Sequence, residues 1–190
     1  TIARANGYRG MLYVEVPTFN WIVKKNAFWD IFYEHCNYFT EESMEAMFDG
    51  CITGNFFGGQ YMYLWADLSR LRPSIPAGIP ITSREGLIFR DQVDHYYKLL
   101  RNGKSFAIWG AGAKGSTFLN LLDKKKEYVK YVIDINPAKQ NRYVAGTGHP
   151  ILPPEILEVD PVENIIVMNE NYFDEIKTTL NGHSIQLTHL

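Results

Sequence analysis

The sequence has little cysteine, little net charge and no long apolar run, and each shortage removes a class of function. Only Cys36 and Cys51 occur among the 190 residues. They cannot build the disulfide framework of a small secreted domain, so reduced thiols in a cytoplasmic protein are expected. The five histidines are scattered, and with two separated cysteines they form no ligand cluster, so no metal is expected. The net charge is −2, with both signs well mixed and no basic stripe, which argues against a nucleic-acid partner. No segment approaches the ~18–20 apolar residues of a membrane helix, and the start carries no signal-peptide pattern. Internal repeats and low-complexity stretches are also missing. What is plentiful is core material: 46% of residues are hydrophobic and 14% aromatic, enough to fill one ordinary domain or two small ones.

The chain opens at Thr1, and its first structured segment, Met11 to Val16, is short, apolar and stopped by Pro17. It reads as a buried strand with no unit before it, which suggests a piece of a longer protein. Residues 19–39 are dense in aromatics. Thr40 is an N-cap followed by Glu41 and Glu42 in the first helical turn, predicting a helix to about Phe48 with Gly50 beyond its end. Gln60 to Trp65 reads as a strand in an antiparallel pair. Pro73, Pro76, Gly78 and Pro80 mark a linker over 71–83. Thr82-Ser83-Arg84-Glu85 fits a capping box, and Phe89, Val93, Tyr96, Tyr97 and Leu100 recur at helical spacing up to Gly103. Strands at 105–109, 129–133, 164–168 and 184–187 then alternate with helices at 113–124 and 172–180. That alternation implies a small α/β domain with a parallel, Rossmann-like sheet. Between Asp134 and Asn164 no clear crossover helix is visible.

Gly110-Ala111-Gly112-Ala113-Lys114-Gly115 follows a strand and opens a helix, and the acidic Asp134 ends the next strand about 20 residues later, as in a dinucleotide-binding fingerprint. Gly110 and Gly112 allow a tight turn and close approach to a phosphate, Gly115 allows close helix–strand packing, the helix N-terminus offers N–H groups, and Lys114 adds charge. The same turn also serves packing alone, and Asp134 before Ile135-Asn136-Pro137 equally suits an aspartate that caps its own turn. A second constellation is Phe32-Tyr33-Glu34-His35-Cys36-Asn37-Tyr38-Phe39. A histidine beside a carboxylate and phenols suits a general base working near neutral pH. A lone histidine in so aromatic a segment also suits a hydrogen-bonded core residue.

Three stretches carry a family resemblance: Val14-Glu15-Val16-Pro17; Tyr33-Glu34-His35 with Tyr38-Phe39 and Phe57-Gly58-Gly59-Gln60; and the glycine turn with Ser116-Thr117, Asp134, Asn136-Pro137-Ala138-Lys139-Gln140 and Arg142-Tyr143. Together they span nearly the whole chain, which resembles the C-terminal part of S-adenosylmethionine (SAM)-dependent C-methyltransferases that act on nucleotide-linked keto-deoxysugars. The resemblance implies three parts in the full protein: a zinc-binding segment, a Rossmann-like SAM domain and a C-terminal Rossmann-like domain, with the nucleotide-sugar between the last two. Residues 1–70 are then the tail of the α/β SAM domain, 71–83 the linker and 84–190 the C-terminal domain. It further implies that His35 deprotonates the sugar carbon beside a keto group, that the resulting enolate attacks the SAM methyl, and that Glu34 is the neighbouring acid. The family's tyrosine three positions before the histidine is Phe32 here, and Tyr33 is a loose substitute. The SAM site and the zinc cysteines are expected upstream, so the chain by itself is expected to be inactive. The alternative is a non-catalytic Rossmann-like module that holds a nucleotide or NAD.

Overall fold

The computed structural model describes residues 2–74 and 88–190. The capping box at Thr82 and most of the proline-rich stretch lie outside the described residues. The chain divides into two compact units, Thr1–Ala27 with Tyr33–Ile88, and Phe28–Phe32 with Phe89–Leu190.

The first unit is built on three antiparallel strands, β1 (Met11–Pro17), β2 (Ile52–Phe56) and β3 (Tyr61–Asp67), in the order β1-β3-β2. Met11 pairs with Asp67 and Pro17 with Tyr61, and Ile52 pairs with Trp65. Successive side chains on a strand face opposite ways. Met62, Leu64 and Ala66 therefore share one face, where Met44 and Phe48 cover them, while Leu12, Val14 and Val16 pack at the margin. The opposite face carries Met11, Tyr13, Trp65 and Ile52, all exposed. The expectation of a buried first strand is thus corrected: β1 lies at the edge of this sheet and only alternate residues face a core. It is also preceded by a short helix, α1 (Ile2–Ala5). Helix α2 (Phe19–Lys24) follows β1 directly. Helix α3 (Glu41–Glu45) starts where expected, with a reciprocal cap between Thr40 and Ser43. It ends at Glu45 rather than near Phe48, and residues 46–48 leave in a turn that carries Phe48 onto the sheet. Both cysteines are free thiols.

The second unit begins its main run with α4 (Ile88–Asn102), whose Tyr96 and Leu100 are buried as the spacing predicts. Tyr97 departs from that stripe: it is exposed, edge-on to Tyr128 and covered by the Arg101 guanidinium. Strand β4 (Phe106–Trp109), helix α5 (Ala113–Leu122) and strand β5 (Val129–Ile133) follow. Next come β6 (Arg142–Tyr143), β7 (Pro150–Leu152), the single turn α6 (Ile156–Val159), β8 (Asn164–Val167), α7 (Phe173–Thr179) and β9 (Gln186–His189). The strand order is β6-β7-β5-β4-β8-β9. Five strands are parallel and β6 runs antiparallel to β7, so the sheet is mixed rather than purely parallel. Numbered in chain order, the parallel strands read 3-2-1-4-5, a doubly wound order with its switch point between β4 and β8. β6 and β7 had no counterpart in the sequence reading, and β9 lies two residues later than expected. All four residues of β4 are buried, since both faces of the sheet are covered. On one face Trp109, Ile133, Val167, Ile176 and Leu180 form a continuous cluster.

A buried polar cluster sits at the start of β5. Asp123, after α5, accepts hydrogen bonds from the backbone N–H groups of Glu127, Tyr128 and Val129. The fully buried His149 ring reaches Asp123 Oδ2 through Nε2 (3.2 Å) and Thr147 Oγ1 through Nδ1 (2.8 Å). Burial pushes the Asp123 carboxyl up, but the His149 contact and the three N–H donors outweigh it and hold the group below its ordinary value of 3.8. A carboxyl lowered in the folded state contributes its full stability above the unfolded value and loses it as pH falls through the folded one. Asp123→Asn is therefore expected to reduce stability at neutral pH and to flatten the loss of stability below about pH 4. Urea unfolding at a series of pH values measures both effects.

Candidate functional site

Two of the three glycines of the turn after β4 are required by the backbone around them. Gly110 takes φ +119°, a left-handed conformation that disfavours side chains, and its N–H bonds the Ile133 carbonyl at 2.8 Å. A Cβ on Gly115 would lie 2.2 Å from the Gly110 carbonyl oxygen, so this residue is needed where α5 crosses the end of β4. Gly112 is different. Its φ is −91°, and a Cβ there would meet nothing within 4 Å. It is the N-cap of α5 and supplies no side-chain cap.

Asp134 ends β5 with its carboxylate buried. Oδ2 accepts from the Ala111 N–H at 2.8 Å and pairs with Lys139 Nζ at 3.2 Å, while Oδ1 accepts from the Asn136 N–H at 2.9 Å. The Gln140 side-chain amide bonds the Asp134 carbonyl. Asp134 thus does cap its own turn, and it also fastens that turn to the glycine turn. Lys114 Nζ lies 3.0 Å from Asp30 Oδ2, both side chains being largely buried. Asp30 belongs to a short 3₁₀ turn, Phe28–Asp30. The turn is held on α5 by Phe28 stacked on Phe118 and on α4 by Trp29 edge-on to Tyr96.

Above these groups, at the carboxyl ends of β4, β5 and β8, opens a crevice of about 470 Å³, within the range of small-molecule sites. All five glycine-turn candidates, Gly110, Gly112, Lys114, Gly115 and Asp134, line it. The sequence reading missed Met168, Asn169 and Tyr172, which line it from the end of β8. The available signal was their position just after an apolar strand neighbouring β4. Lys139 also lines it; in the sequence it stands out only as a member of Asn-Pro-Ala-Lys-Gln.

The histidine candidates lie in the other unit. Tyr33, Glu34 and His35 occupy an irregular segment and are all exposed, Tyr33 at 93%. The alternative of a core histidine does not hold for His35. Its ring lies 6.0 Å from that of Tyr38, which in turn approaches Phe19. The residues here do not fit a SAM cradle. In the first unit β1 runs into α2 through Pro17 and Thr18 without a glycine turn. In the second unit the acid that would take the ribose already has both oxygens engaged. Among the described residues no group of three or more His, Cys, Asp or Glu could hold a metal, and no helix is long and apolar enough to cross a membrane.

A family model described as the C-methyltransferase C-terminal domain matches residues 88–186, and the chain belongs to that family. C-methyltransferase NovU of Streptomyces niveus is 24% identical over 192 residues, covering 88% of this chain and 46% of that protein. The chain thus spans about half the length of this curated relative. Similar solved structures include RSP, a Rex-family repressor, at 13% identity and a TM-score of 0.36, covering 56% of this chain and 60% of that one. RSP in complex with β-NAD+ and operator DNA matches at 14% identity and 0.36, covering 54% and 58%.

Removing the Asp134 carboxylate strands the Ala111 and Asn136 N–H groups. Asp134→Ala is expected to lower the unfolding free energy by about 2–4 kcal/mol, read from urea titrations followed by the fluorescence of Trp109.

Proposed function

We propose that this member of the C-methyltransferase C-terminal domain family is part of an enzyme that methylates carbon on a nucleotide-linked keto-deoxysugar. Residues 1–70 are the tail of its methyltransferase domain, 71–83 a linker and 84–190 the C-terminal, substrate-side domain, in a cytoplasmic protein. The methyl donor is SAM, held by residues of the full-length protein outside this chain. The observation that carries the reading is the exposure of His35 and Glu34, side by side on an irregular segment of a chain from this family.

His35 is the general base. Its ring nitrogen takes the proton from the sugar carbon beside the keto group, and the electron pair of that C–H bond passes into the enolate. A positioned histidine is the side chain that most often serves as a general base. Glu34 is the acid beside it on the same exposed segment. Tyr33 supplies a phenol on the same segment, though one position away from where the family places one.

The test uses the full-length protein, with methyl transfer to a nucleotide-linked keto-deoxysugar as the readout. His35→Ala is expected to slow transfer by ~10²–10⁴-fold and to abolish exchange of the substrate's α-proton with deuterated water. An undiminished rate rejects the base assignment. A full-length wild type with no methyl transfer rejects the reading as a whole.

A further inference from the structure

We propose that Asp30 is a positioning residue for the base: its ion pair with Lys114 fixes one end of the short span that carries His35. The inference rests on the methyl-transfer reading, in which His35 takes the substrate proton, and it adds two residues that this reading leaves unused.

His35 lies in an irregular span, residues 33–38, that belongs to no helix or strand. Without a ladder of its own, such a span takes its place from the points where its ends are tied. The downstream tie is made in the first unit. There the Phe39 carbonyl accepts from the Phe19 N–H at 2.8 Å, Phe39 bridges Thr18, and the Tyr38 ring approaches that of Phe19. The upstream tie is residues 28–32, which pack with the second unit. Phe28 lies on Phe118, Trp29 on Tyr96, and Asp30 Oδ2 is 3.0 Å from Lys114 Nζ. Apolar contact is non-directional and lets rings slide. The ion pair sets one atom against another, at the last residue of the turn before the chain runs on to Tyr33.

Stability alone gives a poor reason for this pair. The side chains of Asp30 and Lys114 are only 10% and 22% exposed, in a setting otherwise made of aromatic rings. Taking two charges out of water costs about as much as their attraction returns, and well-packed apolar residues of similar size often do as well or better. What an ion pair adds is a single register, because any slip leaves a charge buried without its partner. Register matters at a general base, which must come within hydrogen-bond reach of the proton it abstracts. The ammonium of the glycine turn is thereby engaged by the root of the histidine span, although the same lysine borders the crevice.

The experiment measures methyl transfer, and exchange of the substrate's α-proton with deuterated water, in the full-length protein. Asp30→Asn keeps the shape and removes the charge. Turnover and exchange are expected to fall together by about 10–100-fold, the scale of an ångström-sized misplacement, with KM for the nucleotide-sugar within about twofold. If that variant melts early, the double variant Asp30→Leu with Lys114→Met serves instead. It exchanges the pair for apolar packing, and is expected to keep or raise the melting temperature while losing about as much turnover. Lys114→Arg, which preserves the pair, is expected to stay within about threefold of wild type. In a His35→Ala background, Asp30→Asn is expected to cost less than about twofold more, because the two residues act as a unit. Three results overturn the proposal: full turnover in a folded variant without the pair, a loss confined to KM, or a full additional loss in the His35→Ala background. A slow His35→Ala beside an unimpaired Asp30→Asn rejects the positioning role alone. An undiminished His35→Ala rejects the base assignment and the positioning role with it.

Discussion

The carboxylate of Asp134 is the constraint on which the functional end of the second unit depends. A buried charge is tolerated only when it is paired and fully hydrogen-bonded, and Asp134 meets that demand with two backbone N–H groups and an ammonium. Each partner comes from a different place: the glycine turn after β4, the turn after β5 and the loop leading to β6. The ends of the two strands are therefore fixed together, with the Gly110–Ile133 backbone bond beside them. The crevice takes its shape from this arrangement. A carboxylate so engaged is a poor ligand for a diol, so the same bond that gives the site its geometry narrows what the site can read.

A second tie joins distant parts of the chain. Residues 28–32 precede the histidine segment in sequence, yet they pack with the second unit. Their apolar part is Phe28 on Phe118 and Trp29 on Tyr96, and their polar part is Asp30 on Lys114. Lys114 is thus both a member of the glycine turn and the anchor of the stretch that runs directly into Tyr33. Aromatic pairs of this geometry add about 0.5–1.5 kcal/mol each beyond their burial, and a largely buried ion pair is costly to break from one side only. The root of the exposed segment is therefore held firmly, although Tyr33 to Asn37 are themselves exposed.

Much of this was legible because buried parallel strands are short apolar runs and few other patterns imitate them. Phe106 to Trp109, Val129 to Ile133 and Asn164 to Val167 were readable for that reason, as was the glycine turn between a strand and a helix. β6 and β7 were not: one has two residues, the other opens on Pro150, and neither shows an apolar run. The exposure of β1 was hidden because Met11 and Tyr13 are apolar yet lie on an uncovered face; sequence records the residue, not what lies against it. The engagement of Asp134 was visible only as one of two options, since an Asx turn and a ribose ligand use the same residue at the same place. The insertion of residues 28–32 into the second unit leaves no local signal, because it depends on partners some 70–90 residues away.

β5 is held by an aspartate at each end, and the two ends show why function is confined to one of them. At its start Asp123 gathers three backbone N–H groups and His149, whose other ring nitrogen meets the Thr147 hydroxyl. Threonine, histidine and aspartate in a chain are the residue types of a nucleophilic triad. Yet the ring is fully buried, the hydroxyl and the carboxylate nearly so, and no substrate carbonyl can approach. The polar groups there satisfy one another and seal the bottom of the sheet. At the other end Asp134 is held as tightly, but the surrounding N–H groups, Lys139 and the exposed Ile135 and Tyr172 border open volume. Equal chemistry at the two ends therefore leads to different roles. What separates them is the strand order, which places the crevice at the carboxyl ends beside the switch point and leaves the amino ends packed.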